Sequence, residues 1–396
     1  MKKEIYLDYA ATTFLRQEAF EAMVPYMSEI YGNPSSLHNF GRKAKSAVDE
    51  ARAKIAHVFR ALPEEIYFTS GGTESDNWAV IGAAYANRKK GNHVITTRIE
   101  HPAVTNAFKR LAENGFNVTW LDVDEDGIVD LNQLKSSLTP ETTLVSVMFA
   151  NNEIGTIEPV EEIGIIVKEN SKAYFHVDAV QAAGAVDIAL DKLNTIDMMS
   201  FSSHKFYGPK GVGGLFIRKG TRVQSFQAGG AQERGKRAGT ENVPGIVGMA
   251  KALELAAAEM PEEGARLTAL RDHLIKRVMG EIDGVRLNGH AEKRLPNNAN
   301  FSFDYIEGES LLMRMNALGV AASTGSACSS ASLEPSHVLL AIGLKHETAH
   351  GSYRITLGKR TTKEDIDYTV DALKSVVKDL REMSPLYQTK GACNVQ

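Results

Sequence analysis

From about residue 63 to residue 217, short apolar runs rich in β-branched residues alternate with longer segments whose apolar positions recur at helical spacing. This is the pattern of a parallel sheet covered by helices. Strands are expected at 66–69, 94–97, 118–121, 144–149, 173–177, 198–201 and 214–217, with helices at 74–88, 103–114 and 160–170 among them. The result is an α/β domain with a mostly parallel seven-stranded sheet, whose site is expected on the loops at the strand C-terminal ends.

The pattern changes after a helix near 245–259. Met260-Pro261-Glu262-Glu263-Gly264 interrupts the helical period, and a long helix, two short strands, a helix, a loop and a final helix follow. This reads as a smaller α+β domain, with strands at 300–303 and 352–356 and a last helix at 363–381. The boundaries expected are 15–258 for the large domain, and 1–14 with 259–396 for the small one. Residues 384–396 have no period and are expected to form a flexible tail. A chain of 396 residues with 43% hydrophobic content is long enough for two cores.

The balance of charge narrows the partners. A net charge of -4 gives no reason to expect a nucleic acid or an anionic membrane, both of which call for a basic surface. The N-terminus reaches acidic Glu4 and Asp8 before any apolar run of signal-peptide length, and no later run approaches a membrane span, so a cytoplasmic protein is expected. Two cysteines, Cys328 and Cys393, allow neither a disulfide framework nor a multi-cysteine metal cage.

Three segments carry chemistry. Ser202-Ser203-His204-Lys205 follows an apolar run, and a lysine at the end of a buried strand suits Schiff-base chemistry, because desolvation keeps its amine nucleophilic. By itself it reads sooner as a surface lysine opening a loop. Phe68-Thr69-Ser70-Gly71-Gly72-Thr73-Glu74 is a strand, a glycine turn and a helix start, which suits a phosphate, although a simple N-cap accounts for the threonine. Tyr174-Phe175-His176-Val177-Asp178 brings an acid to a strand end, where it can cap a helix or keep a pyridine nitrogen protonated. A lysine, an acid and a glycine-lined helix start on three strands of one sheet are what a pyridoxal phosphate (PLP) site requires.

Further motifs run the length of the chain: Tyr6-Leu7-Asp8-Tyr9-Ala10-Ala11-Thr12-Thr13, Tyr31-Gly32-Asn33-Pro34-Ser35-Ser36, Arg98-Ile99-Glu100-His101, Asn151-Asn152-Glu153-Ile154-Gly155, Arg237-Ala238-Gly239-Thr240-Glu241-Asn242, Ser326-Ala327-Cys328-Ser329-Ser330 and Ser352-Tyr353-Arg354-Ile355-Thr356. In these residues and their order the chain resembles the NifS/IscS-type cysteine desulfurases, a branch of the class V aminotransferase-like PLP enzymes of fold type I. The resemblance implies conversion of L-cysteine to L-alanine, with the sulfur passing to Cys328 as a persulfide for iron–sulfur cluster assembly or other sulfur carriers. It assigns Lys205 to covalent attachment of PLP, and Gly72, Thr73, Ser202 and His204 to the phosphate. Asp178 goes to the pyridine nitrogen, Gln181 to the ring hydroxyl, His101 to the ring face and proton transfer, and Asn152 to cofactor and substrate. Arg354, assisted by Asn33, is implied to clamp the substrate carboxylate, and Thr240 to reach the phosphate of the other subunit of a homodimer. The partners implied are an iron–sulfur scaffold protein or a sulfur carrier.

Cys328 lies in a run of small and polar residues, unlike a core cysteine, and reads as a thiol on a mobile loop, about 323–335, of the family's long-loop group. No stable metal site is expected, with Cys328 at most a transient iron–sulfur ligand. Asp122-Val123-Asp124-Glu125-Asp126-Gly127 begins like a calcium loop but has Gln133 where a bidentate glutamate is needed, so a turn is expected. Selenocysteine cleavage or another class V reaction is the alternative activity, and a non-enzymatic sulfur-assembly partner with a relic PLP fold is the alternative class.

Overall fold

The computed structural model describes residues 4–324, 335–385 and 387. Its strands, in chain order, are β1 (Ile5–Tyr6), β2 (Ile66–Thr69), β3 (His93–Thr97), β4 (Asn117–Leu121), β5 (Thr142–Ser146), β6 (Tyr174–Asp178), β7 (Met198–Ser202), β8 (Gly213–Ile217), β9 (Val285–Asn288), β10 (Asn298–Phe303), β11 (Val320–Ala321) and β12 (Ser352–Thr356). Seven of them form one sheet in the order β2-β8-β7-β6-β5-β3-β4. β8 is antiparallel to β2 and β7, and the other pairings are parallel.

Both faces of this sheet are covered, which is why its central strands read as continuous apolar runs. Successive residues then serve opposite layers. Val94, Leu144, Met198 and Leu215 pack with Trp78, Phe108 and Leu111, while Ile95, Val145, Met199 and Phe216 pack with Ile55, Phe59 and Ile163. The expected strand at 144–149 is shorter as observed, because from Val147 onward the chain turns its amides to the end of β6: Val147 N donates to His176 O at 3.2 Å and Phe149 N to Asp178 O at 2.8 Å. The acidic run at 122–127 is a turn, with Asp124 Oδ1 accepting from Asp126 N and Ile128 N at 3.0 and 2.8 Å, and Gln133 bonded to Asp122.

A second core surrounds the antiparallel sheet β12-β10-β9 and the parallel pair β1-β11. Ile5, Leu7, Phe301, Phe303, Tyr353 and Ile355 meet Ile366, Val370 and Leu373 of the helix Lys363–Met383 there. Residues 5–13 join this core to the large sheet. Leu7 N donates to Ala321 O at 2.7 Å and its carbonyl accepts from Thr356 N at 2.8 Å, while Thr13 N reaches His204 O at 2.9 Å.

One expectation is corrected. The break at 260–264 does not occur: a single helix spans Val243–Glu281 with Pro261 inside it. Proline removes one donor, but burial outweighs this local signal. Val243, Ile246, Met249 and Leu253 belong to the first core, and Leu267, Leu274 and Val278 to the second. Ion pairs from Glu259 to Arg16 at 2.9 Å and to Lys359, and from Glu263 to Arg266 at 2.8 Å, flank the proline. The boundary expected between 258 and 259 thus falls within a continuous helix. No helix among the described residues is long and apolar enough to cross a membrane.

Glu158 provides a test of the first core. Its Oε2 accepts from Val129 N at 3.1 Å, its Oε1 has no partner, and burial pushes the carboxyl from 4.5 up to about 8. Between those values the native state keeps a proton that the unfolded chain has released, so this group's contribution is greatest below pH 4.5 and declines as pH rises to about 8. Glu158→Gln is expected to remove that decline and to raise stability above pH 8, on the order of a few kcal/mol, in urea unfolding at acidic and alkaline pH. An unchanged pH dependence would count against a neutral Glu158.

Candidate active site

Parallel pairing of β6 and β7 brings Asp178 and the Ser202–Lys205 turn to one sheet edge, with Asp178 in register with Ser200. Lys205 leaves β7 through a short 3-10 turn, and its Nζ donates to the carbonyls of Ala10 and Ala11, the latter at 2.9 Å. Asp178 is buried and its Oδ1 accepts from Val180 N at 2.9 Å. Desolvation pushes its carboxyl up to about 6, against the pull of the Lys205 ammonium. Gln181 lies beside them, its Nε2 donating to Ala10 O at 3.0 Å.

Two imidazoles share this space. Burial, reinforced by Lys205, pushes His101 and His204 each down to about 4. His101 Nδ1 accepts from Ala103 N at 3.1 Å, capping the helix Pro102–Glu113, and His204 Nδ1 faces Thr12 Oγ1 at 3.2 Å. The Lys205 ammonium acts electrostatically on three groups, His101, His204 and Asp178.

The helix Gly72–Asn87 starts at the same edge. Gly72 permits close approach: a Cβ there would lie 2.8 Å from Val180 Cγ2 and 3.5 Å from Ser202 Cβ. Thr73, exposed, stands in the first turn, where backbone N–H groups have no helical partner. Glu74 holds the turn by accepting from Ser70 N at 2.8 Å and is paired through two bonds with Arg237, at 2.7 and 3.0 Å. Thr240, further along the Arg237 segment, is exposed.

Arg354, on β12, is buried, and its guanidinium donates to Asp8 Oδ1 at 2.9 Å and Asn152 O at 2.8 Å while Nε has no partner. Asn152 is thereby brought beside Arg354. Asn33 is exposed and its side chain accepts from Ser35 N at 2.9 Å, so it is not joined to Arg354. Cys328 and Cys393 lie outside the described residues.

Sequence reading assigned no role to several neighbours. Asp8 and the Ala10 and Ala11 carbonyls fall in a motif that carries a resemblance but no period. Asp76, with Oδ1 unpartnered, lies 3.8 Å from His176 Nε2, and His176 is held by Ser146 and Ser200 at 2.8 and 3.0 Å. Burial, with Asp178 nearby, pushes Asp76 well above the usual carboxylate range. The one signal for this layer is the polar residue in each otherwise apolar strand.

The chain belongs to the class-V aminotransferase family, whose model matches residues 5–369. Among its relatives, a protein named cysteine desulfurase IscS from Clostridium botulinum is 56% identical over 390 residues, covering 98% of each chain, and one of the same name from Methanosarcina thermophila is 55% identical over 384 residues, covering 97% of this chain and 94% of the other. A solved structure described as a NifS-like protein superimposes with a TM-score of 0.90 at 41% identity, covering 96% of this chain and all of that one. Another, SspA in complex with cysteine, gives 0.79 at 36% identity, covering 90% and 99%.

Pyridoxal phosphate is the cofactor of this family, and the residues present fit it. A lysine amine, a buried carboxyl opposite it, a neutral imidazole and a helix start opened by Gly72 surround one space. The His101 geometry is directly testable: with Nδ1 accepting, the proton sits on Nε2. Nitrogen-15 NMR of labelled protein is expected to find a neutral Nε2–H imidazole at pH 7 that titrates near 4. An imidazolium at pH 7 would overturn the assignment.

Proposed function

We propose that this chain is a PLP-dependent cysteine desulfurase that converts L-cysteine to L-alanine and holds the sulfur on Cys328, for delivery to an iron–sulfur scaffold protein or another sulfur carrier. The observation that carries the reading is the pairing of Arg354 with Asp8, two residues before the Ala10 carbonyl that binds Lys205, which sets a carboxylate-matching fork beside the amine. The identity to proteins named cysteine desulfurase over almost the whole chain supports the same reading.

Bound in this space, PLP supplies the electron sink that lets the Cα proton of an amino acid leave. Lys205 would hold the cofactor covalently, and its Nζ, when free, would take the Cα proton of the substrate. Asp178 would pair with the ring nitrogen and Gln181 with the ring hydroxyl. Gly72, Thr73, Ser202 and His204 would bind the phosphate. His101 would move protons beside the ring through its neutral imidazole. Arg354 receives the substrate carboxylate, using the buried Nε that has no partner among the described residues, with Asn152 beside it and Asn33 assisting. The Cys328 thiolate attacks the sulfur of the substrate: a sulfur–sulfur bond forms, the Cβ–S bond breaks with its electron pair left on carbon, the thiol proton of the enzyme ends on Cβ, and Lys205 Nζ returns to Cα the proton it took. The carbon is reduced as the transferred sulfur is oxidised to the sulfane level, so no external oxidant is needed.

The functional unit is a homodimer in which Thr240 completes the partner's phosphate site. Phe20, Val24, Met27, Tyr31, Leu37 and Phe40 are all exposed within one stretch, with Leu37 92% accessible, an apolar surface that a second subunit would cover. We place the protein in the cytoplasm, where a reactive thiol stays reduced.

Wild-type protein given cysteine without reductant is expected to gain one sulfur on the peptide containing Cys328, removable by dithiothreitol. Cys328→Ala should bind cofactor and cysteine yet release no alanine from cysteine. Alanine formed by that variant at the wild-type rate, or sulfur found on Cys393 alone, would sink the reading, and selenocysteine cleavage surviving the substitution would favour the lyase. Arg354→Lys is expected to raise KM for cysteine by about 1.5–3 kcal/mol equivalent, the range for hydrogen bonds to charged groups. Cofactor affinity should change little, and an unaltered KM would remove Arg354 from the carboxylate role.

A further inference from the structure

β2 is the end strand of the large sheet, and it leads directly into the turn that starts the helix Gly72–Asn87. Its free edge is met by side chains. Ile66 O accepts from Arg52 at 2.7 Å and from Arg234 at 2.8 Å, and Phe68 N donates to Glu233 Oε2 at 2.9 Å. Two residues further, Ser70 N donates to Glu74 Oε2 at 2.8 Å. Three alternate positions, 66, 68 and 70, are thus satisfied by side chains. Two of these belong to Glu233 and Arg234, and a third, Glu74, is paired with Arg237 of the same segment.

That segment is firmly held. Glu233 and Arg234 take left-handed φ of 45° and 57°, which costs energy in residues other than glycine. Arg52 offsets this cost by meeting the buried Glu233 carboxylate at 2.6 and 2.8 Å. Arg237 then presents a fork to Glu74, with Nε 2.7 Å from Oε1 and an Nη 3.0 Å from Oε2, their side chains 19% and 12% exposed. Glu74 stands next to Thr73 in the first turn of the helix. A carboxylate there is favourable by itself but opposes a phosphate, which needs the same N–H groups and the same positive helix end. Burial works against ionisation of Glu74, and the hydrogen bonds from Arg237 and Ser70 overcome it, holding the carboxyl below the usual carboxylate range. Its charge is therefore present near neutrality and has to be cancelled by a neighbour.

We propose that Arg237 is a positioning residue for the cofactor phosphate: its fork cancels the Glu74 carboxylate beside Gly72 and Thr73 and keeps that carboxylate turned to Ser70 N, so that the helix start offers N–H groups and positive potential to a dianion. The inference rests on the reading of Gly72 and Thr73 as phosphate ligands. With Arg237 removed, a largely buried carboxylate would stand without its counter-charge at the phosphate end of the site, and like charges so placed repel. The effect is specific to the phosphate. Groups that meet the ring and the aldehyde, Lys205 and Asp178 among them, lie on β6 and β7 and make no contact with this pair.

The test compares pyridoxal phosphate with pyridoxal, which has the same ring and aldehyde but no phosphate. Both are titrated into the full-length protein, freed of cofactor by hydroxylamine and dialysis, and binding is followed by absorbance. Wild-type protein is expected to prefer the phosphorylated form. Arg237→Ala should lose about tenfold or more in affinity for pyridoxal phosphate, the scale of a like-charge contact away from bulk water, while its affinity for pyridoxal moves less than about twofold. Adding Glu74→Gln to Arg237→Ala removes the repelling charge and should recover most of the loss. Arg237→Lys, which keeps a positive charge, should lose less than Arg237→Ala. The proposal is overturned if Arg237→Ala binds pyridoxal phosphate as the wild type does, if pyridoxal is weakened in proportion, or if the second substitution recovers nothing. Should Arg237→Ala fail to fold, Arg237→Gln, which can still donate to Glu74 but carries no charge, decides in the same way. Equal affinity of the wild type for the two compounds would instead refute the phosphate reading.

Discussion

The site depends on a primary amine brought to the end of the central strands and opposed there by the carboxyl of Asp178. Lys205 reaches that position because β7 ends in a tight turn, and Asp178 because β6 runs parallel beside it. A buried ammonium needs hydrogen-bond acceptors as well as a counter-charge. The N-terminal segment supplies them from the Ala10 and Ala11 carbonyls, and its path is set by Leu7 on one side and Thr13 on the other. With His101 and His204 both pushed down by burial and by this ammonium, neither imidazole adds a competing positive charge near neutrality.

The same constraint accounts for the layer beneath Asp178. Two carboxyls in one low-dielectric site cannot both ionise readily. Lys205 and the Val180 amide favour charge on Asp178, whereas Asp76, helped by a Ser200 hydrogen bond, has one unpartnered oxygen and, among the described residues, His176, itself pushed down to about 3 by burial, within ion-pair distance. The negative charge is thus kept at the end of the strand, where it faces the reacting space.

Much of this was legible because it is local. Burial on both faces produces the apolar runs of β3, β5, β7 and β8, and Gly72 in the glycine turn runs close to Val180 and Ser202. What could not be read depends on distant partners. Asp8 and Arg354 are 346 residues apart and Glu153 and Ser336 are 183 apart, so neither pair leaves a period or a spacing. Pro261 and Gly264 misled for the converse reason: they are strong local stop signals, but the helix through them is kept by burial in two cores that no short window contains.

That uninterrupted helix has a chemical consequence. Lys205 and Asp178 belong to elements packed in the first core, whereas Arg354 stands on β12 in the second, so the distance from the Lys205 amine to the Arg354 guanidinium is a distance between two cores. A hinge at 260–264 would leave it free to vary. A rigid rod embedded in both, pinned at its midpoint by Glu259 to Arg16 and Lys359, restrains it, and the residue 5–13 segment, bonded to Ala321, Thr356, Arg354 and His204 in succession, restrains it again on the side facing the substrate. Two connections, the helix and the N-terminal segment, resist separation of the cores. On the proposed reading, an amino acid held by its amine at Lys205 and its carboxylate at Arg354 would have its Cα placed by the scaffold, the condition for a proton to leave Cα toward Lys205 without a prior domain movement.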